Sequence, residues 1–327
     1  MSGRGQRQSV LSQPENTRSY FQVPTDLYHE GDLLEEDLYF LYQGNYLLYR
    51  LKNLPWKKED RKRLDEFGVT HLYIRCPSEK EHQRFLESHL SKILSEDRIS
   101  VKEKAKILYS TSLSLVEEIY ERPSSQDHLR RSMESIRHSI DYLSKDKSNF
   151  FELMSLAQTD FSEYTHALHT SAYAIALAQQ VGIRAFNQIS AIGIGSILHD
   201  IGKVKIDKKI LAKEGKLNEA EREEVEKHSQ YSYEIVHRSG TVPQLSELII
   251  LQHHERENGK GYPNRLTTEV HAFSKIVAVC DCFDLLTSER SYQAAMKPVD
   301  AIEYMRKEMK DELDQKLIVE FIRMLKR

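Results

Sequence analysis

Histidines and aspartates that could bind metal ions recur through the second half of this 327-residue chain. They are His169, His199, Asp200, His228, His253, His254 and Asp281. Most of them lie beside or at the end of an apolar stretch, so a fold that buries the apolar residues also brings these side chains inward. Burying a carboxylate is costly unless a cation or strong hydrogen-bond donors meet it. The set therefore predicts a shared coordination shell for two metal ions.

Each of these residues also has an ordinary explanation when it is taken alone. His169 fits a core histidine with one hydrogen bond, His228 a surface histidine, and the pair His199 and Asp200 a polar helix end. Neighbouring residues on a helix diverge by about 100°. His199 and Asp200 can therefore reach one metal only from a bent helix end, or two metals between them, and the two oxygens of Asp200 could bridge such a pair.

The types of the candidate ligands limit the choice of metal. Imidazole and carboxylate without thiolate suit Fe, Mn, Zn or Co, whereas Ca and Mg prefer sites made of oxygen alone. Two ions about 3.5 to 4 Å apart can lower the pKa of a bridging water toward 7 and stabilise both the attacking and the leaving oxygen of a displacement at phosphorus. The pattern thus favours hydrolysis at phosphorus.

Helices are the elements that must position these ligands. From Val101 onward the sequence has long stretches of helical period, including residues 166–182, which end at Gly182. The earlier part is mixed: residues 37–51 have two apolar runs around Gln43-Gly44-Asn45, which is a hairpin pattern. Residues 69–76 predict a further strand, and residues 78–94 predict one amphipathic helix capped by Ser78.

These patterns predict a mainly α protein in which an all-helical bundle domain follows a small α+β domain. The predicted divisions are a disordered segment (1–19), an N-terminal regulatory α+β domain (20–96), a helical connector (97–150) and a catalytic helical domain (151–327). Apolar residues of the connector leave open whether it is a rigid spacer or a dimer interface.

Composition excludes several classes of protein. Lys and Arg number 47 against 50 Asp and Glu, a formal charge of −3, so no overall basic field attracts a nucleic-acid polymer. The three cysteines form no CxxC pair, which fits a reducing compartment. No apolar run reaches the length of a membrane span, and the polar N-terminus has no apolar signal segment. We therefore expect a cytoplasmic protein without a membrane anchor.

Four runs, in order and spacing, resemble the HD-GYP domain, a branch of the HD metal-dependent phosphohydrolases. They are ILHDIGK, ILAKEGKLNEAEREEVEKH, HHERENGKGYPNRL and AVCDCFDLLTSERSY. The resemblance extends from about residue 159 to residue 327, and residues 20–94 show a weaker one to the small domain that precedes some HD-GYP proteins. It implies hydrolysis of a cyclic dinucleotide by a metal-bridging hydroxide, with cyclic di-GMP as the main substrate, cyclic GMP-AMP as an alternative, and linear pGpG as the product.

The same resemblance assigns roles to residues of this chain. One metal would be held by His169, His199, Asp200 and Asp281, and the other by Asp200, His228, His253 and His254, so that Asp200 bridges. Asp200 and Lys203 are the expected catalytic residues, and Lys203, Gly261, Tyr262 and Arg290 the expected substrate contacts. The resemblance implies two divalent transition-metal ions, with iron favoured, manganese next, and zinc or cobalt after them. A signalling protein such as a GGDEF domain and a second copy of the chain are further candidate partners.

Three positions depart from the family pattern. Thr165 stands where some members carry a glutamate that helps to hold a third metal, so we predict two metals. Asn258 replaces an aspartate of the loop, and Gln293 replaces a basic residue that would contact phosphate. Thr165 and Gln293 keep open an alternative, a catalytically weak or inactive HD-GYP protein that binds a cyclic dinucleotide or a partner protein as a sensor. A phosphohydrolase of mononucleotides is a third reading, which the GYP loop disfavours.

Overall fold

The computed structural model of the protein describes residues 19–157, 162–290 and 294–326. Two compact units divide between Arg98 and Ile99. Within the described residues no helix combines the length and apolar character needed to span a membrane. The predicted disordered segment lies outside the described residues except for Ser19, and Gln293 lies outside them as well. All three cysteines are buried.

The first unit is a four-stranded antiparallel sheet with short helices. Its strands are β1 (Ser19–Pro24), β2 (Leu38–Tyr42), β3 (Asn45–Arg50) and β4 (His71–Cys76), in the order β1-β4-β2-β3, and its helices are α1 (Lys58–Glu66), α2 (Glu79–Ser88) and α3 (Leu90–Ser95). The predicted hairpin is β2 and β3, whose two-residue turn puts Gln43 and Gly44 at positive φ, as the twist of such hairpins requires. The single helix predicted over residues 78–94 is instead divided at His89.

Helices, joined by loops, are the main regular elements of the second unit's described residues. Its helices are α4 (Val101–Glu121), α5 (Gln126–Lys145), α6 (Lys147–Met154), α7 (Glu163–Gln180), α8 (Phe186–Leu198), α9 (Lys208–Leu211), α10 (Glu219–Glu226), α11 (His228–Ser239), α12 (Gln244–Gln252), α13 (Ala272–Thr287), α14 (Pro298–Lys307) and α15 (Gln315–Leu325). Serine side chains begin the longer ones: Ser100, Ser125 and Ser162 each accept a hydrogen bond from the amide three residues on, which satisfies a free helix-end donor.

Helices α7, α8, α12 and α13 form the core of this unit. Their buried side chains include Ile175, Ile192, Ile249 and Val277, which have no exposed surface. The helices predicted as a connector, α4 and α5, pack against α7 and α8 inside the same unit. They are therefore part of the bundle's core, which the apolar stripes of amphipathic helices favour over a solvated spacer.

Several of the candidate ligands lie where helices end. His199 and His253 directly follow α8 and α12, and His228 begins α11. Between His199 and His228 the chain forms a short 3-10 helix, Ile201–Lys205, that packs on α11. The contact is close because Gly202 donates its N–H to Ser232 Oγ at 2.7 Å and has no side chain to hold the backbones apart. This packing brings the HD dipeptide next to His228.

Candidate metal centre

Two groups of His and Asp side chains meet in the second unit. His166, His199 and Asp281 form one group, and Asp200, His228, His253 and His254 form the other; the ligand atoms of each lie within 4.8 Å of one another. Asp200 joins the two groups. Its Oδ1 lies 3.0 Å from His228 Nε2, and its Oδ2 lies 3.3 Å from His199 Nε2 and 3.6 Å from His166 Nε2.

Backbone carbonyls fix the protonation of three of these histidines. In each, Nδ1 lies within hydrogen-bond distance of the carbonyl three residues earlier: His199 with Ser196 at 2.6 Å, His228 with Val225 at 2.7 Å and His253 with Ile250 at 2.7 Å. A carbonyl oxygen only accepts, so Nδ1 carries the proton and donates it. The lone pair of each imidazole therefore lies on Nε2, the atom that points into the centre.

These lone pairs face one another across short distances. His228 Nε2 lies 3.3 Å from His253 Nε2, and His199 Nε2 lies 3.2 Å from His166 Nε2. Two lone pairs at such a separation repel unless a proton or a metal ion lies between them. Both gaps are therefore places where the chain's own geometry calls for a cation.

Two buried carboxylate oxygens support the same conclusion. Among the described residues Asp200 Oδ1 and Asp281 Oδ2 have no hydrogen-bond partner, and the 3.0 Å contact of Asp200 Oδ1 with His228 is not aligned as one. A buried acceptor without a donor costs about 1–3 kcal/mol, and more when it is charged. Oxygen and imidazole donors at these positions suit divalent metal ions, so the residues present fit the metals that the sequence implied.

The protonation states of the buried side chains also favour a cation at the centre. Burial alone would raise the pKa of Asp200, but His199, Lys203 and His228 hold it well below its usual value, so the carboxylate stays ionised. Burial and the neighbouring imidazoles hold the pKa of His253 well below its usual value, so its lone pair stays available. Burial lowers the pKa of His166, yet its hydrogen bonds with Asp281 and Asp284 raise it to about 10. In the chain alone, a proton on His166 thus serves as the cation of its group.

The structure corrects one predicted ligand: His166, not His169, lies in the coordination group. His169 is buried on the same helix one turn later, but both of its ring nitrogens are engaged elsewhere. Its Nδ1 lies 3.2 Å from Asp284 Oδ1, and its Nε2 lies 2.9 Å from the hydroxyl of Tyr109. Its lone pair is therefore satisfied by a phenol and not by a cation.

With His166 as the ligand in place of His169, Thr165 is no longer the residue one turn before the ligand. Its hydroxyl bonds the backbone of Ser162 and completes the cap of α7. The residue one turn before His166 is Glu163, whose carboxylate pairs with Lys203 at 2.7 Å. Thr165 stands four residues before His169, and the residue four before His166 is Ser162. The prediction of two metals therefore depends on how Glu163, three residues before His166, is engaged.

The loop after the two histidines is closed by a buried glutamate that the sequence did not single out. Glu255 accepts hydrogen bonds from the amides of Asn264 at 2.7 Å and Leu266 at 2.9 Å. Inside the loop, Gly261 packs so tightly that a Cβ would lie 2.4 Å from the carbonyl oxygen of His254. The ring of Tyr262 lies 4.6 Å from that of His254. Gly261 and Tyr262 thus pack against His254, and Tyr262 also lines a neighbouring cavity.

Replacing Glu255 with glutamine is expected to destabilise the protein by about 2–3 kcal/mol, because an amide has one acceptor oxygen for two buried N–H donors. Urea unfolding of the metal-free chain measures the change. The matched control is Glu257→Gln, which removes an exposed pair with Lys275 and is expected to cost less than about 1 kcal/mol. Equal losses in the two variants would contradict the role given to Glu255.

A cavity of about 820 Å³ opens over the centre. Its wall includes Asp200, His228, His254 and Asp281 and the cations Lys203, Lys213, Lys216 and Arg290. Lys213 and Lys216, which sequence reasoning passed over, come from the segment before α10 and add positive charge where an anionic ligand would enter. A volume of this order accommodates a ligand the size of a dinucleotide.

Comparisons with known proteins agree with this geometry. The model of the HD domain family matches residues 143–317. The cyclic di-GMP phosphodiesterase response regulator RpfG of Xanthomonas campestris pv. campestris (strain 8004) is 31% identical over 242 residues, which are 73% of this chain and 57% of that protein. The 3'3'-cGAMP-specific phosphodiesterase 2 of Vibrio cholerae serotype O1 is 34% identical over 165 residues, 50% of this chain and 31% of that protein. The chain thus spans between a third and just over half of the length of these relatives.

One solved structure resembles the whole fold. Bd1817, a HDG"Y"P protein from Bdellovibrio bacteriovorus, aligns with a TM-score of 0.67 over 94% of this chain and 100% of that chain. The sequence identity is 18%, so the likeness concerns the fold. It covers residues on both sides of the division between the two units.

Proposed function

The chain belongs to the HD domain family, and from this premise we propose that it is a metal-dependent phosphodiesterase that linearises a cyclic dinucleotide. Cyclic di-GMP is the proposed substrate and pGpG the proposed product. The observation that carries the proposal is the joining of two ligand groups by Asp200 beneath a cavity lined with cations. Relatives named as phosphodiesterases of cyclic di-GMP and of 3'3'-cGAMP support it.

When bound, two divalent ions supply a hydroxide nucleophile at neutral pH and stabilise the negative charge that develops on phosphorus. The residues that hold them in this proposal are His166, His199, Asp200, His228, His253, His254 and Asp281. We keep the number at two because the carboxylate of Glu163 is engaged by Lys203. Iron remains the favoured metal, followed by manganese, since the donors are nitrogen and oxygen without thiolate.

Lys203 is the proposed phosphate-binding cation closest to the ligands. Its ammonium lies 2.7 Å from both Asp200 Oδ2 and Glu163 Oε2, which leaves the third of its N–H groups for a phosphate oxygen. Burial alone would lower the pKa of Lys203, but these two carboxylates raise it well above its usual value. Lys203 therefore stays charged, so it orients and neutralises phosphate and does not move protons.

Arg290 is the proposed second phosphate contact. It lines the large cavity and also a smaller one of about 310 Å³, which shares His254 and Asp281 with the first. A guanidinium can hold a phosphate through two parallel hydrogen bonds, whereas an ammonium acts as a point charge. Lys203 and Arg290 in the wall of one cavity suit a substrate with two phosphodiester groups.

We expect Lys203→Met to lower kcat/KM by about 10²-fold, since it removes a charge that faces the reacting phosphate in a site shielded from water. Steady-state hydrolysis by the reconstituted protein measures the loss. The matched control is Lys205→Met, two residues along, where the lysine pairs with Glu234 on the surface and leaves activity unchanged. A Lys203 variant as active as the control would remove Lys203 from the proposal.

The function itself is tested with purified chain loaded anaerobically with Fe(II) or Mn(II). Cyclic di-GMP, 3'3'-cGAMP and cyclic di-AMP are supplied separately, and the products are separated by chromatography. Conversion of cyclic di-GMP to pGpG is the expected result. Binding without turnover, in a sample shown to hold two ions, would replace the proposal with the sensor alternative, and turnover of mononucleotides alone would replace it with a general phosphohydrolase.

A further inference from the structure

A chain of four buried side chains runs from α4 to the metal centre. The hydroxyl of Tyr109 lies 2.9 Å from His169 Nε2, His169 Nδ1 lies 3.2 Å from Asp284 Oδ1, and Asp284 Oδ2 lies 2.7 Å from His166 Nδ1. The exposed fractions of Tyr109, His169, Asp284 and His166 are 8%, 4%, 3% and 1%. The four residues come from three helices, α4, α7 and α13, so packing of the whole unit assembles them.

Each link of this chain has a single direction. Asp284 presents one carboxylate oxygen to each of two imidazole Nδ1 atoms, and a carboxylate only accepts hydrogen bonds. Both imidazoles therefore donate from Nδ1 to Asp284. In the neutral imidazole of His169, Nε2 is then an acceptor, and the hydroxyl of Tyr109 donates to it.

We propose that Tyr109 and His169 are positioning residues that orient the metal ligand His166 through Asp284. His169 occupies one oxygen of Asp284 and thereby directs the other oxygen at His166 Nδ1. That bond keeps the lone pair of His166 on Nε2, holds the ring in place and makes it a more basic ligand. Tyr109 in turn keeps His169 in the tautomer that can donate to Asp284.

Tyr109 lies outside the segment that the HD family model matches. The HD family model matches residues 143–317, whereas Tyr109 lies in α4, Val101–Glu121, before that segment. Sixty residues separate Tyr109 from His169 in sequence, and their rings lie 5.9 Å apart. A helix outside the matched segment therefore contributes to the support of the centre. The inference concerns the metal ligands and does not depend on which substrate is hydrolysed.

The test uses the full chain, freed of metal and titrated with Co(II), whose visible absorption reports the ligands and geometry of each bound ion. The variants His166→Ala and His253→Ala assign the two absorption signals to the two ligand groups. His169→Leu is expected to lower the Co(II) affinity of the His166 group by about 10- to 100-fold. The Co(II) affinity of the other ligand group is expected to change by less than about threefold. Tyr109→Phe is expected to lower the Co(II) affinity of the His166 group by about tenfold.

Two comparisons separate positioning from packing. His169→Asn places an amide N–H near the position of Nδ1, so it is expected to recover part of the affinity that His169→Leu loses. Tyr142→Phe is the matched control for Tyr109→Phe, since Tyr142 also donates one phenolic hydrogen bond, to the carbonyl of Val101 at 3.0 Å, but has no link to the ligands. Its Co(II) affinities are expected to equal those of the unaltered chain.

Co(II) affinities in His169→Leu and Tyr109→Phe that match those of Tyr142→Phe would overturn the proposal. An equal loss of Co(II) affinity at both ligand groups would overturn it as well, provided that the metal-free variants unfold thermally like Tyr142→Phe. If His169→Leu fails to fold, Tyr109→Phe decides the question, because it removes a single oxygen atom. Neither readout requires turnover, so a failure of the proposed phosphodiesterase activity leaves this test intact.

Discussion

Asp200→Asn is expected to leave less than one tightly bound metal ion per chain and to lower activity by at least about 10³-fold. The two carboxylate oxygens of Asp200 contact both ligand groups, with His228 on one side and His199 and His166 on the other. An amide keeps the shape of the side chain but loses the negative charge, and its nitrogen cannot bind a metal. Elemental analysis after anaerobic reconstitution, together with the hydrolysis assay, measures both effects.

Asp281→Asn gives a graded comparison. Asp281 Oδ1 lies 3.1 Å from His166 Nε2. This variant is therefore expected to lower mainly the metal affinity of the His166 group and to retain the ion of the other group. Asp141→Asn, on the exposed face of α5, controls for the change in net charge and should bind two ions. An Asp200→Asn protein that kept both ions at unaltered affinity would show that the carboxylate does not bridge.

Gly202→Ala is expected to destabilise the second unit by about 3 kcal/mol and to abolish detectable turnover. A Cβ at this position would lie 2.2 Å from the carbonyl oxygen of His228 and 2.4 Å from the amide nitrogen of Ser232. Both obstacles are backbone atoms of α11, so the helix has to move away from the HD turn. That movement separates Asp200 from His228, and metal content should fall with stability.

The matched control for this variant is Gly193→Ala in α8. There the added methyl group would lie 2.7 Å from Ile136 Cγ2, an atom of a side chain that can adjust. We expect a cost of about 1 kcal/mol and full metal content. Thermal unfolding and metal analysis of the two proteins side by side decide the point, and similar losses would mean that the HD turn tolerates displacement.

The sequence could predict most of the centre because the ligands adjoin apolar runs that determine which way they face. The runs before His199, His253 and Asp281 become buried helices, and the polar residues at or within those helices are carried inward with them. Adjacency to His199 allowed Asp200 to reach a second site, since neighbours on a helix diverge by about 100°, and its two oxygens do contact both ligand groups. Local periodicity was sufficient for these residues.

The choice between His166 and His169 could not be made in this way. The two residues are three apart on α7, so they share a face of the helix, and both are buried. What separates them is the hydroxyl of Tyr109, which satisfies His169 from a helix sixty residues earlier. A contact between distant helices leaves no trace in the pattern of a single helix. Asp284, three residues after Asp281 on α13, places a second carboxylate of that helix on the same buried face.

The same distinction holds in the first unit. The hairpin of β2 and β3 was predictable from Gln43-Gly44-Asn45, because a two-residue turn with positive φ is encoded locally. Strand β1 was not predicted, since it exists through pairing with β4, in which Phe21 lies opposite Ile74 across more than fifty residues of sequence. Side chains of β4 also meet β2, where Tyr39 lies opposite Tyr73.

The histidines whose Nδ1–H groups bond Ser196, Val225 and Ile250 also complete three helices. Those carbonyls lie in the last turns of α8, α10 and α12, where backbone partners within the helix run out, although Val225 also accepts from the amide of the cap residue Lys227. Each imidazole thus closes the end of a helix with one nitrogen and turns the other toward the cations. Loss of the ions would loosen three helix termini together. Proteases are therefore expected to cleave at these helix ends in the metal-free protein before the whole bundle unfolds.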